Sequence, residues 1–384
     1  MFEVTQNRRV FFGEKSTSQV TELLRFFQAR KPFVLAYNSN APFVKTVLAL
    51  LAEAKLDACV SDIVQAEPDN IVMDDAAFLL MENGCDCVLA IGGGSVMDTA
   101  KTVAMIATNG GLAEDYQMRG REITKPALPL IMIPTTAGTG SEATKTSVIC
   151  NANSHLKKSI YSPHMIATAV ILDPEATTQL PPPITAATGI DALSHAIESY
   201  VSPNANVYTE LYSLKAIELI RDSLLAAVQN GSDSKARADM LYASYFAGVA
   251  LHAGIGLAHM IAQPIGGLLN IPHGDACSIF LPLAMEFNLE TSMGKYCKIA
   301  RALGLDAQSD SIAYAQSAVD KVREIIKSVN APASLKPYLK GEALNFEEAV
   351  PFIHKATGHI KSNPKTVDDI VIKETLVRAI EAQI

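Results

Sequence analysis

Cys87-Val88-Leu89-Ala90-Ile91-Gly92-Gly93-Gly94-Ser95-Val96-Met97-Asp98-Thr99-Ala100 is the stretch on which the fold turns. Cys87–Ile91 is an unbroken apolar run that predicts a buried strand, the glycines turn the chain, and Val96–Thr108 predicts a helix. A strand that feeds a glycine-rich turn and then a helix crowds amides at the helix N-terminus, where unpaired N–H groups and the dipole favour phosphate. Glycines there let a pyrophosphate come close to the backbone. The stretch is neither G-x-G-x-x-G nor a Walker loop, so taken alone it fits a plain tight turn equally well.

Working outward, short apolar or β-branched runs predict further strands at Phe33–Tyr37, Val60–Val64, Leu128–Ile133, Ser147–Cys150 and Ala169–Leu172. Between them Ala41–Lys55 and Ile71–Asn83 carry apolar residues at helical spacing, with Asn40 or Pro42 and Asp69 or Asn70 as starts. This is the alternation of an α/β sheet. After Asp173-Pro174 and Pro181-Pro182-Pro183 such runs nearly vanish, and long Ala- and Leu-rich helical patterns take over. Ser311–Val329 is typical: Ile312, Ala315, Val319, Val322 and Ile326 recur at steps of three and four. The predicted architecture is an α/β domain over 1–178 and an all-α domain over 179–384. No repeat or low-complexity segment interrupts it.

Two domains also suit the 384-residue length, because single cores stop growing at about 250–300 residues. Hydrophobic residues make up 49% and charged residues 19%, a globular rather than a disordered composition. The formal charge of −8, without a basic run, argues against a nucleic-acid partner. The N-terminal segment is charged and no apolar stretch reaches spanning length, so neither a secretory signal nor a membrane helix is expected. Six cysteines are scattered without a C-x-x-C pair and most have apolar neighbours, which points to structural thiols in a reducing, cytoplasmic chain. Cys85 and Cys87 would point to one face of a strand, and a structural role is expected for them too.

A second loop, Pro134-Thr135-Thr136-Ala137-Gly138-Thr139-Gly140-Ser141-Glu142, leaves the strand Leu128–Ile133. With the glycine loop it makes two polar loops at carboxyl ends of strands, the edge at which open α/β sheets bind ligands. In the helical half, Asp191 and His195 stand four apart and share a helix face. Such a pair alone is more often a hydrogen bond than a metal site. His259 in a helix and His273 in a loop after Pro272 complete a possible one-carboxylate, three-imidazole set, suited to Fe(II), Zn(II), Mn(II) or Co(II).

Gly92-Gly93-Gly94-Ser95 with Asp98, the Thr135–Glu142 stretch, Thr188-Gly189-Ile190-Asp191-Ala192-Leu193-Ser194-His195-Ala196-Ile197-Glu198 and Pro272-His273-Gly274 resemble, in order and spacing, the motifs of the iron-containing (group III) alcohol dehydrogenases. The resemblance covers essentially the whole chain. It implies a metal held by Asp191, His195, His259 and His273, with Fe(II) as the family's ion and Zn, Mn or Co as alternatives. It implies NAD or NADP bound by the glycine loop (Gly93, Gly94, Ser95) and by Thr135, Thr136, Thr139, Thr146 and Lys157. The implied reaction is hydride transfer between nicotinamide and a small alcohol or aldehyde, in a cytoplasmic homodimer or higher homo-oligomer.

Three departures from the family pattern stand out. Many relatives read His-x-x-x-His where this chain has His259-Met260-Ile261-Ala262-Gln263, so Gln263 takes the place of a histidine often assigned to proton relay. Glutamine hydrogen-bonds but does not titrate. The strand Phe33–Tyr37 ends in Asn38, where NAD-preferring relatives usually carry an Asp that binds ribose and repels a 2′-phosphate; NADPH is therefore expected to be accepted. The family's Asn-Pro appears as Glu67-Pro68. Two other functions are compatible with parts of this pattern: an NAD- and metal-dependent sugar-phosphate cyclase of the dehydroquinate synthase type, and a nucleotide-binding protein without turnover. The ligand set favours the dehydrogenase.

Overall fold

The computed structural model describes residues 2–64, 68–154, 157–306, 309–354 and 361–382. The chain divides into two compact units, Met1–Gln179 and Leu180–Ile384. Glu67 of the Glu67-Pro68 departure lies outside the described residues.

In the first unit six strands form one sheet: β1 (Arg9–Phe12), β2 (Pro32–Ala36), β3 (Cys59–Ser61), β4 (Cys87–Gly92), β5 (Leu130–Pro134) and β8 (Ala169–Leu172), in the order β1-β8-β5-β4-β2-β3. Every pairing in it is parallel. β2, β4 and β5 are buried along their whole length, which is why they read as continuous apolar runs. The connecting helices are α1 (Val20–Phe26), α2 (Pro42–Glu53), α3 (Asn70–Glu82), α4 (Gly94–Asn109) and the short α5 (Ala113–Gln117). Leu23, Leu24, Val44, Val47 and Leu51 of α1 and α2 pack against Val34, Leu89, Ile131 and Ile171 of the sheet. Pro42 opens α2, and the Asp69 carboxylate caps α3 by accepting from the N–H groups of Ile71 and Val72.

The chain passes from β2 to β3 on one side and from β4 to β5 on the other, so strand order reverses between β2 and β4. Ligands bind such sheets in the crevice that this reversal opens at the carboxyl ends of the strands. A separate antiparallel hairpin, β6 (Thr146–Cys150) and β7 (Lys157–Tyr161), completes the unit.

The structure corrects the predicted boundaries in places. The expected strand Val60–Val64 is paired only over Cys59–Ser61, because the Asp62 carboxylate turns away to accept from the Ser39 N–H (3.1 Å) and hydroxyl (2.6 Å). β1 and β7 were not anticipated: β1 is a half-exposed edge strand, and β7 carries two lysines in five residues. Cys85 lies just ahead of β4, and Cys85 and Cys87 are buried, which raises both thiols, Cys85 to about 11.

Among its described residues the second unit is helical throughout: α6 (Pro182–Val201), α7 (Val207–Gln229), α8 (Ser234–Ala250), α9 (Leu257–Leu269), α10 (His273–Asn288), α11 (Met293–Ala302), α12 (Ile312–Ser328), α13 (Phe346–His354) and α14 (Asp369–Glu381). No single helix among them is long and apolar enough to cross a membrane. α6 is the central helix, packed against α7, α8, α9 and α10. Its prolines occupy the first turn, where a missing N–H removes no bond. Gly189, midway along it, leaves room for Leu224 of α7, whose methyl would lie 2.3 Å from a Cβ.

A candidate metal centre and nucleotide loops

α6 presents Asp191, His195 and Glu198 at helical spacings of four and three, and each is at most 6% exposed. Buried charge on one helix requires partners on another, and these come from α9 and α10. Asp191 Oδ1 lies 3.3 Å from His259 Nε2, 3.4 Å from His273 Nε2 and 3.5 Å from His195 Nε2. The His195 and His259 rings stack at 4.6 Å. All four metal residues read from the sequence are thus gathered around one carboxylate oxygen. His252 belongs to the 3-10 turn Leu251–Ala253 and is not one of the clustered donors.

His259 is oriented from behind. Glu198 Oε2 accepts from its Nδ1 at 2.5 Å while Glu198 Oε1 accepts from the Ala258 N–H at 2.7 Å, so one carboxylate fixes both the ring and the start of α9. The adjoining Leu257 N–H donates to Asn363 Oδ1 at 3.1 Å. These remote acceptors replace a local cap, since Gly256 has no side chain to provide one. With the Nδ1 proton committed to Glu198, Nε2 is the nitrogen that would ligate a metal, the ion replacing the proton it otherwise shares with Asp191.

His273 is not in a loop, as the sequence had indicated, but is the first residue of α10, with Pro272 at the N-cap position. Gly274 then explains itself: a Cβ there would stand 2.1 Å from the Ala187 carbonyl oxygen of α6. Only glycine lets α10 approach α6 closely enough at this point for His273 to meet Asp191, one turn further along. Starting the helix at 273 also places Cys277 one turn beyond His273. Its sulfur lies 3.6 Å from Asp191 Oδ1, 3.7 Å from His259 Nε2 and 3.7 Å from His273 Nε2. The donor atoms of Asp191, His259, His273 and Cys277 all lie within 4.8 Å of one another. Sequence reasoning took Cys277 for a small hydrophobe and assigned Glu198 no role; the i+4 step from His273 and the i+3 step from His195 were the signals.

The electrostatics of the cluster call for positive charge. Burial works against ionisation of Asp191, yet the His195 and His273 imidazoles and the hydrogen bond from His259 hold its carboxyl well below the usual carboxylate range. Burial opposes protonation of His273 as well, but Cys277 and Asp191 lift it to about 10. Burial pushes His195 the other way, to about 4. The Asp191 carboxylate enclosed by imidazoles keeps protons where a divalent cation would supply the same charge, and the donor set fits such an ion.

In the first unit, Asn38 follows β2, Gly93, Gly94 and Ser95 follow β4, and Thr135, Thr136 and Thr139 follow β5, three neighbouring parallel strands with their carboxyl ends on one edge. The two longer loops interlock: a Cβ on Gly93 would meet Thr136 at 3.1 Å, and one on Gly94 would meet Thr139 at 2.8 Å. Gly93 caps α4 without a side-chain hydrogen bond, so the first N–H groups of a 16-residue helix remain for an anionic ligand. Lys101, fully buried, donates to Ser141 Oγ (2.7 Å), Thr144 Oγ1 (2.9 Å) and the Thr146 carbonyl (2.6 Å), tying α4 to the threonine loop and β6. Thr146 and Lys157 are not brought together. Thr146 pairs with Tyr161 and Lys157 with Cys150, so they sit at opposite ends of the hairpin. Asn38 accepts from the Asn40 N–H, and Asp62 supplies a carboxylate beside it at Ser39.

Comparison with known proteins agrees with this arrangement. Residues 7–174 match the family described as iron-containing alcohol dehydrogenase, and residues 185–380 match the Fe-containing alcohol dehydrogenase family, C-terminal. An NAD-dependent methanol dehydrogenase from Bacillus methanolicus is 34% identical over 373 residues, 95% of this chain and 97% of that protein. A lactaldehyde reductase from Escherichia coli is 31% identical over 376 residues, 95% of this chain and 96% of that one. The crystal structure of a 1,3-propanediol oxidoreductase superposes with a TM-score of 0.94 at 31% identity, covering 99% of this chain and 100% of its own. These relatives are oxidoreductases of alcohols or aldehydes, which sets aside the cyclase. The chain belongs to the iron-containing alcohol dehydrogenase family.

Proposed function

We propose that this alcohol dehydrogenase interconverts a small alcohol and its aldehyde with NAD or NADP, using a divalent metal held by Asp191, His195, His259 and His273. The observation that carries the metal assignment is the convergence of three imidazole nitrogens on Asp191 Oδ1 at 3.3–3.5 Å. When bound, the ion supplies Lewis acidity toward the substrate oxygen, and the nicotinamide gives or takes the hydride. Fe(II) is the ion the family name carries; the donors also suit Zn(II), Mn(II) and Co(II). The chain's own groups do the positioning: Glu198 sets the His259 tautomer, and the uncapped start of α4 with Ser95, Thr135, Thr136 and Thr139 takes the pyrophosphate side of the cofactor. The family resemblance adds Thr146 and Lys157, from opposite ends of the hairpin, to the cofactor contacts. The first unit is thus the dinucleotide-binding domain and the second the metal- and substrate-binding domain. Gln263, half-buried one turn past His259, orients substrate or nicotinamide through its amide and leaves proton transfer to water or ribose hydroxyls.

Asn38, uncharged, supports acceptance of NADPH alongside NADH, with Asp62 the nearby carboxylate that limits this. The six free cysteines support a reducing, cytoplasmic setting, and the family relationship supports a homodimer or higher homo-oligomer. The test is cofactor oxidation with propanal, run with NADH and NADPH after loading with Fe, Zn, Mn or Co, with metal analysis in parallel. About one ion per chain and turnover are expected, both lost in His259→Ala and His273→Ala. Full metal content and activity in those variants would refute the assignment.

A further inference from the structure

We infer that Asn363 is a positioning residue of the metal site: its carboxamide fixes the first turn of α9, and with it the ligand His259, against the far end of the helix that carries His273. This rests on the metal assignment above and goes beyond it, because Asn363 is none of the ligands and holds His259 through the backbone alone.

His259 is the third residue of α9, in the turn whose N–H groups have no acceptor within a helix. Gly256 has no side chain to cap that turn, so two remote oxygens do it: Glu198 Oε1 accepts from the Ala258 N–H at 2.7 Å, and Asn363 Oδ1 accepts from the Leu257 N–H at 3.1 Å. Leu257 and Ala258 are fully buried, so an N–H deprived of its oxygen finds no water instead. The glycine is also what admits both oxygens, because a Cβ at 256 would stand 2.7 Å from Asn363 Oδ1 and 3.2 Å from Glu198 Oε1. The neighbouring Ser362 hydroxyl donates to the Ile255 carbonyl, and Pro364 disfavours helical backbone at Asn363, which keeps the segment irregular and laid against the entry to α9.

The other bonds of Asn363 make it more than a cap. Its Nδ2 donates to Asn288 Oδ1 at 2.9 Å and to the Lys365 carbonyl at 2.6 Å, and Asn288 Nδ2 donates back to Asn363 Oδ1 at 2.9 Å. Asn288 is the last residue of α10, whose first residue is His273. The Lys365 ammonium lies 4.4 Å over the ring of Phe287, beside Asn288. Asn363, 7% exposed, thus uses both of its donors and both of its acceptor positions. Turning the amide over would set its NH2 against the Leu257 N–H, so the network fixes its orientation. A buried network satisfied in this way has one arrangement, and here that arrangement ties the start of α9 to the end of α10, the two helices that bring His259 and His273 to Asp191.

The experiment compares Asn363→Leu, which removes every one of these bonds at similar volume, with Asn363→Asp, which keeps an acceptor for the Leu257 N–H, in the full-length protein loaded with Co(II). Cobalt affinity is read by chelator competition, the coordination geometry by the visible ligand-field bands, and the fold by the melt of the metal-free protein. Asn363→Leu is expected to lower cobalt affinity by about tenfold and to alter the ligand-field bands, the scale on which outer partners of ligating histidines act. Asn363→Asp is expected to return the wild-type bands and most of the affinity, although its missing donors lower the melt. Wild-type affinity and bands in an Asn363→Leu protein that merely melts lower would overturn the inference and leave the metal assignment standing. An Asn363→Asp protein no better than Asn363→Leu would overturn it too, because the bond to Leu257 would then not be what matters. Coupling is reciprocal, so in wild type cobalt should slow amide hydrogen exchange over 361–367 as well as over 254–260. Exchange over 361–367 that ignores cobalt would overturn the inference even if a variant fails to fold. Absence of bound cobalt in wild type would refute the metal assignment, and this inference with it.

Discussion

Glu198→Gln isolates the carboxylate behind His259 with almost no change of shape. In the wild type both oxygens accept: Oε1 from the Ala258 N–H at 2.7 Å and Oε2 from His259 Nδ1 at 2.5 Å. A glutamine has one acceptor and one donor, so it cannot reproduce the pair. If its oxygen serves Ala258, its NH2 faces Nδ1, which must then give up its proton; the proton moves to Nε2, the atom 3.3 Å from Asp191 Oδ1 that would ligate the ion. If its oxygen serves Nδ1, the NH2 faces a buried N–H, and a donor opposed to a donor at a residue 5% exposed costs about 1–3 kcal/mol. The first route weakens metal binding, whereas the second keeps the tautomer and lowers stability instead. Loss of an outer partner of a ligating histidine lowers affinity by about 10–100-fold, equivalent to about 1.4–2.7 kcal/mol. A competition titration against a chromophoric chelator measures this directly, with circular dichroism melts showing that the helices survive. Affinity within about twofold of wild type, in a variant that melts no lower than wild type, would mean that Glu198 does not set the tautomer.

Asn38→Asp should reduce the ratio of kcat/KM for NADPH to that for NADH by about 5–30-fold, because a carboxylate near a 2′-phosphate costs about 1–2 kcal/mol; an unchanged ratio would remove Asn38 from cofactor choice. Gln263→His should add an ionisation at ~6–7 to the pH profile of kcat/KM, and a profile superimposable on wild type would place residue 263 outside the reaction path. Glu142 is fully buried, neither of its carboxylate oxygens finds a donor among the described residues, and burial raises it from 4.5 to about 7. The folded state then holds a proton that the unfolded state releases between pH 4.5 and about 7, so stability falls as pH rises through that window. Glu142→Gln removes the loss, and denaturant titrations should find the variant gaining on wild type between pH 4 and 8 by about 3 kcal/mol, whereas parallel pH dependences would refute the buried charge.

Much of the first unit was legible because its strands are buried on both faces and so are written as unbroken apolar runs. β2, β4, β5 and β8 could be read in that way, and the breaks around them are real helix starts, Asp69 as the cap of α3 and Pro42 as the first residue of α2. Where one face meets solvent the signal weakens. β7 opens on two consecutive lysines and buries only Ile160, and β1 lies at an edge, so neither run is apolar enough to stand out. The end of β3 was misjudged for a different reason: Asp62 has a tertiary partner at Ser39, which no local pattern reports.

The metal site divides along the same line between local and tertiary information. Asp191 and His195 share a helix face, so their pairing follows from spacing alone. His259 and His273 could be offered only as possible partners until the family resemblance attached them, since sequence spacing says nothing about which helices pack on α6. Placing His273 in a loop then hid Cys277, because an i+4 relation has meaning only inside a helix. What starts that helix is the triplet Pro272-His273-Gly274: the proline at the N-cap, the histidine as first helical residue, and a glycine whose missing Cβ admits the Ala187 carbonyl at 2.1 Å. The triplet is therefore a packing device as much as a ligand motif. A residue larger than glycine at 274 would push α10 off α6, carrying His273 and Cys277 away from Asp191 together. The same close approach that brings the third imidazole to the carboxylate also delivers the sulfur.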